Sequence, residues 1–518
     1  RRKLQGRFLH ITDMHPDPYY RVGMSPNSAC HRRKPKKAKP RAGEYGLPYG
    51  ECDSPFSLTN HTLDFIDKKW SANIDFVVWT GDSARHDNDR KLPRTTKEIY
   101  ELNRAMARKM EDLFLSKGIP VIPTIGNNDI WRKAYFQSVF TSTELTIWRS
   151  FIPFSSYQVF QRGGYFSVDV IPGSVAAISL NTLYFYTSNK AVGGCDARDP
   201  EDPGNLQFDW LEVQLQTFRR RGMQVWIIGH VPPSARNYYP DCHVRYVELS
   251  LRYQDTILGH LYGHMNVDHF FFLDAQAVSE DGQEESFDEA DDDEGDLKKK
   301  HKDLYGTLLK GFNHMRKAPK LDHDNYAVVN VAPSVVPNPY LPSFRIFSYN
   351  ISGSPYVPDD STTTSSTERQ NSALEKTSAC GSHRGWNSSP NSPSRRNGLW
   401  SPLGYAQVSY MYYLPNLNET RGKRAPKFKL EYLTFEPSLL HPPEGLDGSG
   451  FQYPIPLKNL PRSLRNSTVT KSKYAPYKMQ DLTIPSWLKL ARRLGQAKRQ
   501  KLRARFRKYM YMGADQEL

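Results

Sequence analysis

No apolar run in these 518 residues approaches the about 20 needed to cross a bilayer, so no stretch of the sequence reads as a membrane span. No internal repeat is present, which excludes solenoids and propellers. Cysteine is scarce, and five residues decide little by number. Apolar residues make up 38% of the chain, low for a wholly globular protein, so part of the length is expected as loop or disorder. Acidic charge is the minority, with 55 Asp+Glu against 70 Lys+Arg, and the formal charge is +15. That balance favours a polyanionic partner: nucleic acid, an acidic membrane surface or a phosphate polymer. No nucleic-acid-binding module motif accompanies the charge, so no specific nucleic acid is expected. No signal-peptide pattern opens the chain, which begins at Arg1-Arg2-Lys3 just before a strand; an upstream targeting segment is expected to be missing here.

What is present organises itself around Ile74-Asp75-Phe76-Val77-Val78-Trp79-Thr80-Gly81-Asp82-Ser83-Ala84-Arg85-His86. An apolar run of strand length stops at Gly-Asp, and a histidine follows four residues later. Ligands of α/β proteins bind just past the carboxyl ends of buried strands, where nothing in the core needs a carboxylate. The same strand-then-polar-tip pattern recurs. Residues 7–12 lead to Asp13-Met14-His15, 119–125 to Gly126-Asn127-Asn128-Asp129, 223–228 to Gly229-His230, and 257–262 to Gly263-His264-Met265-Asn266. Helical spacing over 58–70, 95–117, 205–221 and near 244–257 separates them, which describes an α/β domain with a mostly parallel sheet. A hairpin-like pair is expected at 165–181, and antiparallel strands at 325–331, 343–349, 405–413 and 427–435.

Carboxylate, imidazole and amide oxygen donors arriving from five strand ends can build a two-metal site with Asp82 as the bridge. Two divalent ions about 3.5–4 Å apart activate a shared water and clamp both oxygens of an in-line phosphoryl displacement. The series Asp13-Met14-His15, Gly81-Asp82, Gly126-Asn127, Gly229-His230 and Gly263-His264 resembles the calcineurin-like metallophosphoesterases. His86 after Gly81-Asp82 narrows the resemblance to their acid sphingomyelinase-like branch. Asp13 to Tyr20, Gly126 to Asp129 and Gly263 to Asn266 look most similar to the fungal vacuolar endopolyphosphatases. The resemblance implies a four-layer αββα sandwich with two facing sheets. It implies one metal held by Asp13, His15, Asp82 and Asn266, and another by Asp82, Asn127, His230 and His264. It also implies a vacuole lumen or vacuolar membrane location, with a single-pass type II anchor upstream of Arg1.

Two positions depart from the wider pattern. Asn128 stands where most members carry a histidine, and Asn266 where they carry a second ligating histidine. An amide oxygen is a harder, weaker donor than imidazole, so the first metal is expected to be Mg²⁺ or Mn²⁺ more readily than Zn²⁺, with Co²⁺ also in the candidate set. With Asn128 unable to serve as the usual acid, His86 becomes the main candidate for proton delivery or phosphate contact. The blander reading of His86 is a hydrogen-bond partner behind the metals. A phosphate leaving group needs an acid less than an alkoxide does, so the substitutions fit phosphoanhydride cleavage better than lipid phosphodiester cleavage.

The remaining features concern substrate and setting. The run Arg32-Arg33-Lys34-Pro35-Lys36-Lys37-Ala38-Lys39-Pro40-Arg41 lies just after the first tip, and suits a long polyanion threading past the site; its alternative is a solvated loop or processing site. Connectivity of the cysteines cannot be read from sequence. The expected pairs are Cys30 with Cys52, pinning that basic loop, and Cys195 with Cys242, leaving Cys380 free. Sequons at Asn60, Asn350, Asn418 and Asn466 lean toward a lumenal glycoprotein; a fifth, at Asn387, is weakened by Pro390. Residues 280–296 hold eleven acidic residues and read as a disordered acidic insertion.

The expected division is a catalytic domain over 4–349, a flexible Ser/Thr/Pro-rich insertion over 350–404, returning strands over 405–436 and a Pro-punctuated basic extension over 437–518. The last of these is an amphipathic helix on an anionic membrane, a polyphosphate-binding tail, or a charged helix packed on the domain. The first reading is therefore a metal-dependent endopolyphosphatase acting through a dinuclear-metal-activated hydroxide. Its rivals are a sphingomyelinase-like phosphodiesterase and a non-catalytic polyanion-binding protein.

Overall fold

The computed structural model describes residues 3–35, 40–131, 142–275, 297–317, 321–358, 386–411, 425–443 and 450–513. Two six-stranded sheets face each other. Strands are β1 (Arg7–Ile11), β2 (Phe76–Trp79), β3 (Val121–Pro123), β4 (Phe166–Ile171), β5 (Val175–Ser179), β6 (Gln224–Ile228), β7 (Ile257–Tyr262), β8 (His269–Asp274), β9 (Tyr326–Val331), β10 (Ser343–Tyr349), β11 (Pro402–Met411) and β12 (Lys427–Leu433). The first sheet runs β12-β11-β10-β1-β2-β3 and the second β4-β5-β6-β7-β9-β8. The expectation of a mostly parallel sheet holds for one end of the first sheet and for the middle of the second. β1, β2 and β3 are parallel, as are β5, β6, β7 and β9, while β10, β11 and β12 extend the first sheet antiparallel and β4 and β8 close the two edges of the second antiparallel.

The central strands are buried along their whole length, because sheet neighbours cover their edges and layers cover both faces. Phe8 shows how the layers lock. Its ring stacks on its registered neighbours Phe76 (4.6 Å) and Phe347 (4.9 Å) and meets Trp226 of the opposite sheet edge-on at 5.2 Å. Helices α1 (Phe56–Trp70), α2 (Thr96–Leu113), α5 (Pro203–Arg220) and α6 (Pro240–Arg252) come close to their expected spans, with the short helices α3 (Ser142–Trp148) and α4 (Tyr157–Gly163) between them. The Thr95 side chain caps α2 by accepting from Glu98 N, and Asp202 caps α5 through Gly204 N and Asn205 N.

Three helices beyond these form an outer layer: α7 (Leu297–Lys317), α8 (Ile484–Leu494) and α9 (Gln500–Met510). Neither β8 nor α7 was anticipated. The apolar run of β8 closely follows the His264 tip. α7 follows the acidic stretch 280–296, which lies outside the described residues. α8 and α9 lay their apolar sides on the second sheet: Trp487 packs on Phe270 at 4.4 Å, and Phe270 also meets Phe312 (5.1 Å) and Phe506 (5.9 Å). The basic C-terminal segment is thus packed on the domain. Residues 386–401 also lie against it, with Asp255 N bonded to Asn387 O and Ser394 Oγ donating to Gln254 O.

A buried polar knot ties this layer to the sheets. Arg345 on β10 pairs with Asp268 and donates from Nε to Gln407 on β11 at 3.0 Å. Tyr432 on β12 donates to Asp268 at 2.6 Å, and Asp268 N donates to Met510 O at 3.1 Å. A buried pair with one partner removed leaves an uncompensated charge, so this knot specifies where the C-terminus docks.

Cys30 pairs with Cys52, and Cys195 with Cys242. Cys380 lies outside the described residues. Among the sequons, Asn60 is half-buried within α1 and Asn350 donates to Asn397. Asn466 is exposed and accepts from Thr468 N and Oγ1 at 3.0 Å. Asn418 lies outside the described residues. No described helix is long and apolar enough to cross a membrane.

Trp487→Ala is expected to destabilise the whole domain by about 3–5 kcal/mol, read as a lower urea midpoint at unchanged slope. An unchanged midpoint would mean that the C-terminal helices are not part of the core.

Candidate metal centre

The parallel arrangement of β1, β2 and β3 brings their tips out on one edge of the first sheet, and β6 and β7 do the same for the second. The tips are stitched together by backbone: Asp13 N donates to Gly81 O (3.0 Å), Met14 N to Asp82 O (3.0 Å) and Gly263 N to His230 O (3.1 Å). Glycine before four of the five tips, at Gly81, Gly126, Gly229 and Gly263, is a steric requirement. A Cβ on Gly126 would lie 2.0 Å from Asp82 Oδ1, and one on Gly263 would lie 2.0 Å from Thr12 Oγ1 and 2.6 Å from Asp13 Oδ2. Asp13 (φ 50°), His15 (39°), Asp82 (60°), His264 (69°) and Asn266 (54°) all adopt left-handed backbone. Each such residue costs of order 1–3 kcal/mol, and the gathering of five at the tips marks a site where geometry outranks local comfort.

The side chains converge accordingly. Asp82 Oδ2 lies 3.3 Å from His15 Nε2 and 3.2 Å from His230 Nε2, and Asp13 Oδ1 is 3.5 Å from His15 Nε2. Asn127 Oδ1 is 2.9 Å from both His230 Nε2 and His264 Nδ1. Asp13, Asp82 and His230 offer donor atoms that all lie within 4.8 Å of one another. Outer partners aim these donors: His15 Nδ1 is held by Ala84 O at 2.8 Å, and His230 Nδ1 by Thr80 O at 2.7 Å. Asn266 turns its Nδ2 to Asn338 O at 2.9 Å.

Four buried atoms at this place have no hydrogen-bond partner: Asp13 Oδ1, His15 Nε2, Asn128 Oδ1 and Asn266 Oδ1. Oxygen and imidazole donors left unsatisfied in the interior are costly unless something binds them. Three of the four belong to the first expected ligand set, so the residues fit a hard divalent cation. Electrostatics agrees. Burial would raise Asp82, yet His230 and His15 hold its carboxyl well below the usual carboxylate range. Burial works against protonation of His15 and His230, but Asp82 and Asp13 raise both to about 9. The carboxylates therefore demand positive charge, which protons or a cation can meet.

His86 stacks on His15 with ring centroids 3.9 Å apart, so it lies against this cluster. Its orientation comes from a residue that strand-tip reading passed over. Asp53 accepts from His86 N at 2.6 Å and contacts His86 Nδ1 at 2.7 Å. A carboxylate on Nδ1 fixes the proton there and leaves Nε2 free to act. Asp53 follows Cys52 directly, so the Cys30–Cys52 bridge anchors it. Asp129 was also passed over: it accepts from Asp82 N (2.9 Å), Ser83 N (2.6 Å) and Gly126 N (2.8 Å), clamping two tips. Burial and the charge of Asp82 push it up to about 6. Asn128 spends its donors on Asp82, through N at 2.9 Å and Nδ2 at 3.0 Å. In this geometry Asn128, one of the expected catalytic residues, positions the Asp82 carboxylate.

The basic loop divides. His31 bridges Asp17 (2.7 Å) and Asp89 (2.8 Å), and Arg32 donates to Asp89 at 2.6 Å, so its charge is already met. Arg33 and Lys34 are exposed. Lys36, Lys37 and Lys39 lie outside the described residues.

Residues 6–268 match the family profile described as Calcineurin-like phosphoesterase. The chain is similar to several proteins named Endopolyphosphatase. That of Cryptococcus neoformans var. neoformans serotype D is 39% identical over 95% of this chain and 90% of its own length. Those of Candida glabrata and Saccharomyces cerevisiae are 38% and 35% identical over 68% of this chain, which spans 62% of each of them.

Two outcomes follow from this geometry. Asp53→Asn, which cannot fix the His86 tautomer, is expected to lower phosphoesterase turnover by about 10–100-fold and to move the limb of the pH–rate profile that reports His86. A loss with an unchanged profile would make Asp53 merely structural. Separately, burial opposes protonation of His31 but its hydrogen bonds to Asp17 and Asp89 raise it above its ordinary value. Its contribution is therefore complete below about pH 6.5 and fades as pH rises through the raised value. The stability gap between the parent and His31→Asn should shrink on going from pH 6 to more alkaline buffers.

Proposed function

The chain belongs to the calcineurin-like phosphoesterase family, and we propose that it is a metal-dependent endopolyphosphatase that cuts internal phosphoanhydride bonds of inorganic polyphosphate. The observation that carries the reading is the set of buried, unpartnered donors around Asp82 in a chain similar throughout to proteins named Endopolyphosphatase. Asp13, His15, Asp82 and Asn266 would hold one divalent cation, and Asp82, Asn127, His230 and His264 the other. When bound, such a pair supplies Lewis-acid polarisation of the phosphoryl group and acidifies water. Mg²⁺, Mn²⁺, Co²⁺ and Zn²⁺ are the candidates, and the amide donors Asn127 and Asn266 favour the harder ions.

The protein's own part is positioning and proton handling. Asp129 and Asn128 hold Asp82, Thr12 and His264 N hold Asp13, and Asp53 holds His86 with Nε2 available to the departing phosphate oxygen. A polyphosphate chain end leaves as a weak base, so one histidine suffices where an alkoxide would need stronger acid assistance. Donors kept buried at a strain cost argue against a retired, purely binding protein. The two disulfides support a compartment outside the cytosol. The vacuole is the proposed one, with Asn466 the best-exposed glycan acceptor among the described sequons.

Long-chain polyphosphate incubated with each metal in turn should be shortened to intermediate lengths on a gel, and chelation should abolish this. Sphingomyelin and bis-p-nitrophenyl phosphate, run alongside, should be poor substrates; faster turnover of either would move the chain to the phosphodiesterase reading. Asp82→Asn should lower bound metal by elemental analysis and reduce cleavage by about 10²–10³-fold, the order expected when transition-state charge stabilisation is lost. His86→Ala should cost about 10²–10⁴. Unchanged cutting by the latter would remove His86 from proton delivery while leaving Asp82 untouched.

A further inference from the structure

Several arginines elsewhere in the molecule carry carboxylate partners: Arg32 with Asp89, Arg85 with Glu98, Arg252 with Glu212, Arg395 with Asp324. The C-terminal helices carry no such partner in their own sequence. From Leu482 to Ala514 the sequence holds no acidic residue and ten Lys or Arg. Lys498, Lys501, Arg505 and Lys508 are exposed, and no salt bridge joins them to any described residue. Lys501, Arg505 and Lys508 are spaced i, i+4, i+7, which places them on one stripe of α9. The positive charge of Lys508 acts on Glu431, a half-buried carboxylate that already accepts hydrogen bonds from Ser409 and Gln407.

Two further facts say what covers this stripe. The apolar side of the same helices is already spent: Trp487, Leu488, Leu494, Phe506 and Met510 are buried in the core. An interfacial helix needs that side free to enter the acyl boundary, so membrane insertion is disfavoured. The stripe also leads to the metal centre. Met510 O, at the end of α9, accepts from Asp268 N, and Tyr511 packs on Tyr340 at 5.3 Å. Asp268 lies two residues past Asn266, whose Nδ2 is bonded to Asn338 O. With a rise of about 1.5 Å per residue, Lys501 to Lys508 spans roughly 10 Å ending beside that loop.

We propose that the exposed stripe Lys498, Lys501, Arg505 and Lys508 is a distal binding track for a long linear phosphate polymer, delivering it to the centre around Asp82. The inference rests on the polyphosphate reading of that centre. A regular polyanion matches unneutralised cations at helical spacing, and its release of counterions drives binding without sequence or shape readout. The track acts on affinity for long chains and leaves the chemistry alone.

The test is the variant Lys498→Gln/Lys501→Gln/Arg505→Gln/Lys508→Gln, whose changes are all exposed, compared with the parent on long-chain polyphosphate and on tripolyphosphate. The track predicts KM for the long chain raised by about ten-fold, with kcat and all tripolyphosphate kinetics within about two-fold of the parent. The slope of log KM against log salt should flatten by roughly 2–3, near 0.7 for each lost contact. Equal losses on both substrates, or none on either, would overturn it. If the parent cleaves no polyphosphate, the reading of the metal centre fails instead. Anisotropy of labelled long-chain polyphosphate with parent and variant then decides the track alone, unaltered affinity sinking it. Vesicles containing phosphatidylserine form the remaining arm: vesicle binding lost in the variant while long-chain KM stays at the parent value would assign the stripe to a membrane surface and refute the track.

Discussion

Two carboxylates that cannot be left alone govern this molecule. Asp13 and Asp82 are almost fully buried, at 1% and 2% exposure, and their oxygens share one small space with two imidazoles. Negative charge in such a place is tolerated only with compensation, and Asn128, Thr12 and the His264 N–H donate hydrogen bonds to it without neutralising it. The surrounding backbone accepts left-handed conformations at five positions to hold the donors there. Rigid central strands, locked through Phe8 and Trp226, make that strain sustainable, since a loose scaffold would relax it.

Around this centre the support is layered. Asp53 orients His86 and is itself anchored by the neighbouring Cys30–Cys52 bridge. A bridge closing a loop of 22 residues stabilises by about 3 kcal/mol in the chain-entropy account, but its position is the larger point. Its other end neighbours His31, which links Asp17 to Asp89, so one covalent tie holds both polar clusters beside the site. On the far side of the tips, the Asp268–Arg345 knot fixes the loop carrying His264 and Asn266 to β10, β11, β12 and the end of α9. The basic residues then sort by address. Those inside, such as Arg85, Arg94 and Arg345, are held by carboxylates or backbone carbonyls, and those on the C-terminal stripe face solvent without a salt bridge to any described residue.

The tips could be read from the chain because a parallel strand and the residues just past it are contiguous. Asp13, Asp82, Asn127, His230 and His264 each sit where a buried run stops, and that local signal survives without knowing which strands are neighbours. Asp53 carries no such signal: it precedes a helix instead of following a strand, and only the fold brings it to His86. Asp129 looked like the last letter of a tip, yet its carboxylate binds backbone N–H groups forty-odd residues upstream. β8 escaped notice because a short apolar run beside a polar tip has no period that distinguishes strand from loop, and α7 because it follows a strongly acidic stretch.

Taken alone, then, the sequence determined the donor set, the order of strands and helices that delivers it, and a surplus of positive charge. Each is a property of contiguous residues: hydrophobic period, the stop at Gly-Asp or Gly-His, and composition. Tertiary structure decided the rest. It set how two mixed sheets face each other, which acids orient which histidines, which half of Asn128 is committed to Asp82, and that the basic C-terminus turns its apolar side inward. Those depend on contacts between residues far apart in the chain, where burial and pairing are settled by the packed whole.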